Sequence, residues 1–347
     1  MQNWLPNLEG RKGPRYIAIA DAIGEAIKGG ELQGNMRLPT HRDLAYRLGV
    51  TVGTISRAYN EAIRRDYIVA EVGRGTYVKT DDDNASNLII TTPNEADVIN
   101  FGMNTHNDPT STQCLRQTLK EIADEPALTE MMRYQSHKGL PHHRQAFAQF
   151  AQWHGAPQDM ERLIITAGAQ HAMTISVLSL LKAGDVLLCE EYSYSGIKIL
   201  ASQLGIKMGG VAMDEYGIIP ERLEEAIVNS GSRVLYFMPN YQNPTGVTMP
   251  LERRMEILKI ARKYGLWLIE DDVYSFLSED AGRIPPFASL IPEQTFYIHG
   301  VSKCLSPGLR VAFVMVSQSK LTLAVGCLRL TCGMVSSINI EVVSRWI

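Results

Sequence analysis

The chain has 347 residues, of which 45% are hydrophobic and 20% charged, and a formal net charge of −3. It is long enough for two domains, one with a large core, and its composition is that of an ordinary globular protein. No repeat or low-complexity tract is present, and the longest apolar run near the C-terminus, Leu321–Leu328, is too short to span a bilayer.

Charge is unevenly spread. Residues 1–79 hold 12 Lys/Arg against 8 Asp/Glu, and the remainder is acidic. A small basic head on an acidic body points the head toward an anion, with nucleic acid the first candidate. The five cysteines form no CxxC pair, and an odd count in apolar settings fits reduced thiols. MQNWLPNLEG lacks the apolar stretch of a signal peptide, so a cytoplasmic protein without membrane contact is expected.

Helical spacing of Ile17, Ala20, Ile23 and Ile27 predicts a first helix over Pro14–Lys28, closed by Gly29-Gly30. Thr40 with Asp43 opens a second helix that runs to Leu48, and Gly49 breaks it. Thr51 caps a third, with Val52, Ile55, Ala58-Tyr59 and Ala62-Ile63 facing inward. Tyr67–Val72, the turn Gly73-Arg74-Gly75 and Thr76–Lys79 read as a hairpin. Three helices and a two-stranded wing make a winged helix-turn-helix, whose third helix enters the major groove by its N-terminal end. Its outward face offers Thr51, Gly53, Thr54, Ser56 and Arg57, with Arg64 and Arg65 near its end. Arg42, and Arg74 in the wing, are placed for phosphates.

The stretch LPTHRDLAYRLGVTVGTISRAYNEAIRRDYIVAEVGRGTYV resembles the GntR family of bacterial transcription regulators. The resemblance implies that a dimer binds a double-stranded DNA operator through Arg42, the helix start at Thr51–Arg57, and the wing at Gly73-Arg74-Gly75. His41, Val52 and Ser56 depart from the residues usual there. Thr80–Asp97, with its DDDNAS run, reads as a polar connector, giving a head over 1–79, a linker over 80–98 and a body over 99–347.

In the body, strand-like runs at Leu163–Thr166, Val186–Glu190, Val211–Met213, Val234–Met238, Leu266–Glu270, Phe296–Ile298 and Val311–Val316 alternate with helical ones. The helices include Gln170–Leu181, Ile197–Leu204, Pro220–Asn229 and Pro250–Tyr264. That alternation calls for an α/β fold with a mostly parallel sheet, whose ligands bind outside the carboxyl ends of the strands. At those ends stand Ala167-Gly168-Ala169-Gln170, Tyr192-Ser193-Tyr194, Asn240–Gly246 (NYQNPTG), Glu270-Asp271-Asp272-Val273-Tyr274, Lys303 and Arg310. Each has a blander reading: a common turn, a solvated cap, a loop lysine. Together they match one cofactor, pyridoxal phosphate, which needs a Schiff-base lysine and an acid on the pyridine nitrogen. It also needs donors to its phenolate oxygen, an aromatic neighbour, and a helix N-terminus with an arginine for its phosphate.

This order and spacing resemble the fold-type I aminotransferases and, with the head attached, the MocR subfamily of GntR regulators. The resemblance implies Lys303 as the Schiff-base lysine and Asp271 as partner of the pyridine nitrogen. It implies Tyr274 and Asn243 as donors to the phenolate oxygen and Tyr194 as the stacking ring. Ala169, Gln170 and Arg310 then fall on the phosphate. Tyr134, in YQSHKG, matches a tyrosine that reaches the phosphate of a neighbouring subunit, implying a homodimer. Gly300 stands where Ser or Thr is usual and Ala312 where Gly is usual. His142-His143 replace part of a segment nearer GxxxLR, and they read as surface or interface histidines with no metal site. The chain ends in an amphipathic run, Ile338–Ile347, so the family's small C-terminal lobe is expected to be missing. The expected function is a regulator that senses pyridoxal 5′-phosphate or an amino compound as effector. The alternative is an aminotransferase with a DNA-binding appendage.

Overall fold

The computed structural model describes residues 4–8, 13–34, 36–65, 67–71, 75–79, 104, 109–278 and 283–347. Contacts divide the chain into two compact units, Met1–Ile99 and Asn100–Ile347, each with its own core.

The first unit contains α1 (Arg15–Lys28), α2 (His41–Leu48) and α3 (Val52–Arg64). The starts of α2 and α3 are set locally, since Thr40 Oγ1 accepts the Asp43 amide and Thr51 Oγ1 accepts the Thr54 amide. Gly49, at φ 62°, ends α2 in the left-handed region and makes the tight turn into α3. Ile19, Ile23, Leu44, Ile55, Ala58 and Tyr59 fill the core between the helices. β1 (Ile68–Glu71) and β2 (Gly75–Val78) pair antiparallel as a wing, with Ile68 opposite Val78. Val52 and Ile63, expected to face inward, are exposed. Both sit in the terminal turns of α3, outside its buried stripe of Ile55, Ala58, Tyr59 and Ala62. Gly73, Arg74 and the connector at 80–98 lie outside the described residues.

The second unit begins with α4 (Pro109–Asp124), α5 (Leu128–Met131) and α6 (Pro141–Trp153). Strands and helices then alternate: β3 (Leu163–Thr166), α7 (Ala169–Leu180), β4 (Val186–Glu190), α8 (Ser195–Gln203) and β5 (Lys207–Val211). After the small hairpin of β6 (Met213–Asp214) and β7 (Gly217–Ile218) come α9 (Pro220–Ser230), β8 (Val234–Phe237), α10 (Leu251–Tyr264) and β9 (Trp267–Asp271). The chain closes with α11 (Phe287–Leu290), β10 (Thr295–Gly300), β11 (Ala312–Met315), α12 (Leu321–Thr331) and α13 (Ser337–Trp346).

Seven strands form one sheet in the order β3-β11-β10-β9-β8-β4-β5. Every neighbouring pair is parallel except those of β11, which runs against both β10 and β3. Helices cover both faces, so successive residues of one strand feed opposite cores. Phe296, Ile298 and Val314 join the core that includes Met173 and Ile197; Tyr297, Phe313 and Met315 join the one that includes Phe147 and Val343. Burial on both sides is why these strands read as unbroken apolar runs. The strand expected at Val211–Met213 instead starts at Lys207. KMGGV carries no apolar run, because only Val211 of its five residues is buried. α13 packs Ile340, Val342 and Val343 into the core beside β11. Among the described residues no helix is long and apolar enough to cross a membrane, and all five cysteines are free.

Candidate functional site

The topology brings the predicted strand-end residues of the second unit to one edge of the sheet. β4, β8, β9 and β10 run parallel, so the residues after them share an edge. Lys303 follows β10, and Arg310 precedes the single reversed strand β11, which returns it to that edge.

Lys303 and Asp271 lie within electrostatic reach of each other. Asp271 ends β9 and is 3% exposed; its Oδ2 accepts from the Tyr236 hydroxyl at 2.8 Å and its Oδ1 from the Val273 amide at 3.4 Å. Burial pushes its carboxyl up to about 6, against the pull of those two donors and of Lys303. Burial pulls the Lys303 ammonium below its ordinary range; Asp271 opposes that and Arg310 adds to it. Lys303 Nζ donates to the Asn104 carbonyl at 2.6 Å, and Asn104 Nδ2 donates to the Tyr274 hydroxyl at 2.9 Å. Asn104 thus ties the lysine to the tyrosine. Desolvation of the amine and a neighbouring cation, here Arg310, are how a protein makes a lysine nucleophilic.

The other end of the site is built for an anion. Gly168, at φ 88°, caps α7, and a Cβ there would lie 2.5 Å from Arg310 Nη2. The guanidinium therefore packs on bare backbone at a helix N-terminus, where amide groups and the helix dipole already favour negative charge. Arg310 itself has φ 51°, and its Nη1 donates to Ser302 Oγ at 3.4 Å. Gly300 and Ala312 are directly opposed across β10 and β11, and a Cβ on Gly300 would lie 2.9 Å from that of Ala312. The two departures from the resembled pattern are one exchange: the pair has room for a single methyl.

Tyr194 caps α8 and is half-buried. Its phenol is pushed up by burial and by Asp271 and Tyr274, and pulled down by Arg310, so its ring sits among all three. Gln170 Nε2 donates to the Gly196 carbonyl, holding the start of α8 to the start of α7. Ala169 stands at the N-terminal end of α7, packed on the core. Asn243 is half-buried in the loop after β8, and the Tyr274 hydroxyl takes its hydrogen bond from Asn104. Tyr134 is 98% exposed and joins none of these groups.

The acids at 270–272, whose bland reading was a solvated cap, are all buried, and each has its own task. Glu270 accepts the Phe287 and Ala288 amides and caps α11. Asp272 accepts from Asn240 and Tyr297, while Asn240 Oδ1 accepts from the buried Arg254 at 2.6 Å. Only Asp271 is left to face the lysine. Sequence reasoning missed Tyr236, Asn104, Ser302 and Glu190. A hydroxyl inside the apolar strand VLYF was the one available signal for Tyr236. Glu190 accepts from the Met238 amide and from Gln242 Nε2 at 3.0 Å, and so fixes the loop that carries Asn243. His143, expected at the surface or an interface, is 1% exposed and bonded to Glu341, a partner 198 residues on that local spacing cannot reveal.

On the head, Arg42, Thr51, Gly53 and Arg57 are exposed on α2 and the start of α3, and Thr54 is half-exposed and bonded to Thr51. Gly75 opens β2. Arg65 is committed within the head, to Asp21 at 2.5 Å and Glu61 at 2.7 Å.

A doubly covered, mostly parallel sheet with a lysine at its carboxyl edge, preceded by a three-helix head with a wing, defines an aminotransferase-like domain fused to a helix-turn-helix. The chain belongs to the aminotransferase class I and II family, which matches residues 96–344, and its head matches the bacterial regulatory proteins of the gntR family over residues 15–78. It is 31% identical over 317 residues to the uncharacterized HTH-type transcriptional regulator YdeF of Bacillus subtilis (strain 168), covering 91% of this chain and 68% of the regulator. It is 32% identical over 213 residues to an aromatic amino acid aminotransferase of Dictyostelium discoideum, covering 55% of this chain and 44% of that one. Among solved structures, an archaeal alanine:glyoxylate aminotransferase superposes with a TM-score of 0.63 at 27% identity, over 69% of this chain. The chain spans 61% of that aminotransferase's length.

Proposed function

We propose that the chain is a DNA-binding transcription regulator of the MocR kind, whose second unit binds pyridoxal 5′-phosphate and reads it, or an amino compound joined to it, as effector. The observation that carries this is the pairing of Lys303, its ammonium held low, with the buried acid Asp271. The donor set suits the cofactor's parts. Lys303 is the amine for its aldehyde and Asp271 the acid for its ring nitrogen. Tyr274 and Asn243 would serve its phenolate oxygen, and Tyr194 would lie against its ring. The bare Gly168 backbone with Ala169, Gln170 and Arg310 would take its phosphate. When bound, the cofactor supplies an electron-withdrawing ring and an aldehyde that amines exchange on. This chain's part is to orient it: Tyr236 fixes the Asp271 carboxylate, Asn104 links Lys303 to Tyr274, and Ser302 steadies Arg310.

In the head, Arg42, Thr51, Gly53, Thr54 and Arg57, with Arg74 and Gly75 of the wing, would meet the operator. A homodimer would pair two heads on two half-sites, and the exposed Tyr134 would reach the partner's phosphate pocket. Effector binding shifts operator affinity only as far as it favours one arrangement of the dimer. The retained Lys303 and Asp271, and the likeness to an aromatic amino acid aminotransferase, favour a second reading, in which turnover is the main role. A mobility-shift titration on the chain's own upstream DNA separates them. The first reading expects operator affinity to change when pyridoxal phosphate or an amino acid is added. The second expects amino-group transfer with no change in DNA affinity, and that result overturns the regulator reading.

A further inference from the structure

We propose that His142, His143 and Glu341 form a binding site for a divalent transition metal of the zinc class, stapling α6 to α13. Nε2 of His143 lies 2.8 Å from Glu341 Oε2, and Nε2 of His142 lies 3.5 Å from the same oxygen. The two imidazoles have centroids 4.1 Å apart, and one ligand atom from each of the three residues falls within 4.8 Å of the others. A zinc ion held at about 2.0–2.2 Å by nitrogen and oxygen donors sets those donors roughly 3.3–3.5 Å apart at tetrahedral corners. The observed spacings reach that geometry by small side-chain rotations.

Three features favour a cation over a plain hydrogen-bonded pair. His142 is 64% exposed at its side chain, yet its ring converges on the oxygen that the buried His143 already meets, although solvent would serve it equally well. Glu341 is oriented from behind, because its Oε1 accepts Arg345 Nε at 2.8 Å, leaving Oε2 to the histidines. Fixing a ligating carboxylate through its other oxygen is characteristic of metal sites. Charge also agrees. Arg345 pairs with Glu121 and Glu125 as well as Glu341, so three carboxylates surround one guanidinium and the neighbourhood stays negative. Two imidazole nitrogens and one carboxylate oxygen suit zinc, copper or nickel better than magnesium or calcium. The site lies on α6 and α13 and uses none of the residues at the Lys303 edge.

The test uses the untagged full chain, stripped with a chelator and free of added pyridoxal phosphate. Zinc chloride is titrated by calorimetry, and melting is followed with and without the metal. One equivalent bound per chain, with a raised melting temperature, is expected. Because His142 is exposed, His142→Ala should fold and melt as the metal-free parent does, while losing the metal-induced rise and weakening zinc binding by at least about tenfold. Glu341→Gln should weaken binding likewise, and circular dichroism reports whether it keeps its helix content. Absence of stoichiometric binding, or binding equally tight in His142→Ala, overturns the proposal.

Discussion

Placing a methyl on Gly300 tests whether the floor of the site is as tightly specified as its register implies. The added Cβ would lie 2.9 Å from the Ala312 Cβ, against an ordinary contact of 3.4–4 Å. β10 and β11 would have to part by roughly half an ångström. Their flanking pairs, His299 with Phe313 and Ile298 with Val314, are buried and resist that movement. Overpacking of this kind costs about 1–3 kcal/mol, partly offset by the ~0.5–1 kcal/mol gained when glycine leaves a strand interior. The net loss for Gly300→Ala is therefore about 1–2 kcal/mol. In a domain of this size that lowers the melting temperature by roughly 2–8 °C. Ala312→Gly alone should also destabilise, by about 1 kcal/mol. Combined, the two changes move the single methyl across the strand pair, so the double variant should regain most of the loss, with a coupling energy of about 1–3 kcal/mol. Calorimetric melting of the four proteins measures it. Strictly additive losses would refute the reasoning, because the residues would then not share one space.

Removing the Tyr236 hydroxyl (Tyr236→Phe) leaves the buried Asp271 short of a donor. It should cost about 1–3 kcal/mol of stability and weaken pyridoxal phosphate binding, whereas unchanged affinity would detach Asp271 from the cofactor. Burial pushes the Glu190 carboxyl up to about 8. A raised acid holds its proton in the folded chain after the unfolded chain has lost it, so its contribution falls as pH rises toward 8. Burial lowers the His143, His171 and His299 imidazoles, whose effect is confined below about 6.5, but it also pushes Glu270 up to about 8, so two buried acids lose their protons together at pH 7–8. Stability should drop there by about 1 kcal/mol per unit for each of the two acids, and Glu190→Gln should remove about half of the slope, leaving the Glu270 share; a wild-type slope in the variant would contradict the assignment. On the head, Arg57→Ala should reduce the salt slope of operator binding by about 1. Arg65→Ala should instead lower the melting temperature of the head and leave that slope alone, since Arg65 holds Asp21 and Glu61.

The legible parts of this protein were those written locally. Thr40, Gly49 and Thr51 signal their caps and turn within a few residues, and the doubly buried strands announce themselves as apolar runs. Lys303, Asp271 and Arg310 stood out because charges at strand ends contradict their apolar surroundings. What the chain order hides is contact at long range. The Tyr236 hydroxyl meets Asp271 across a neighbouring strand, Asn104 reaches Lys303 from 199 residues away, and the buried His143 finds Glu341 on α13. β5 escaped notice for a different reason: only Val211 of its five residues is buried, so it needs little apolar sequence. Gly300 and Ala312 looked like two separate departures until their register made them one.

The most direct measurement adds pyridoxal phosphate to the purified chain and follows visible absorbance. A saturable band is predicted, lost in Lys303→Ala and retained, with weaker affinity, in Arg310→Ala. A chain that develops no band, or a Lys303→Ala variant that keeps it, would contradict the assignment of this edge as the cofactor site.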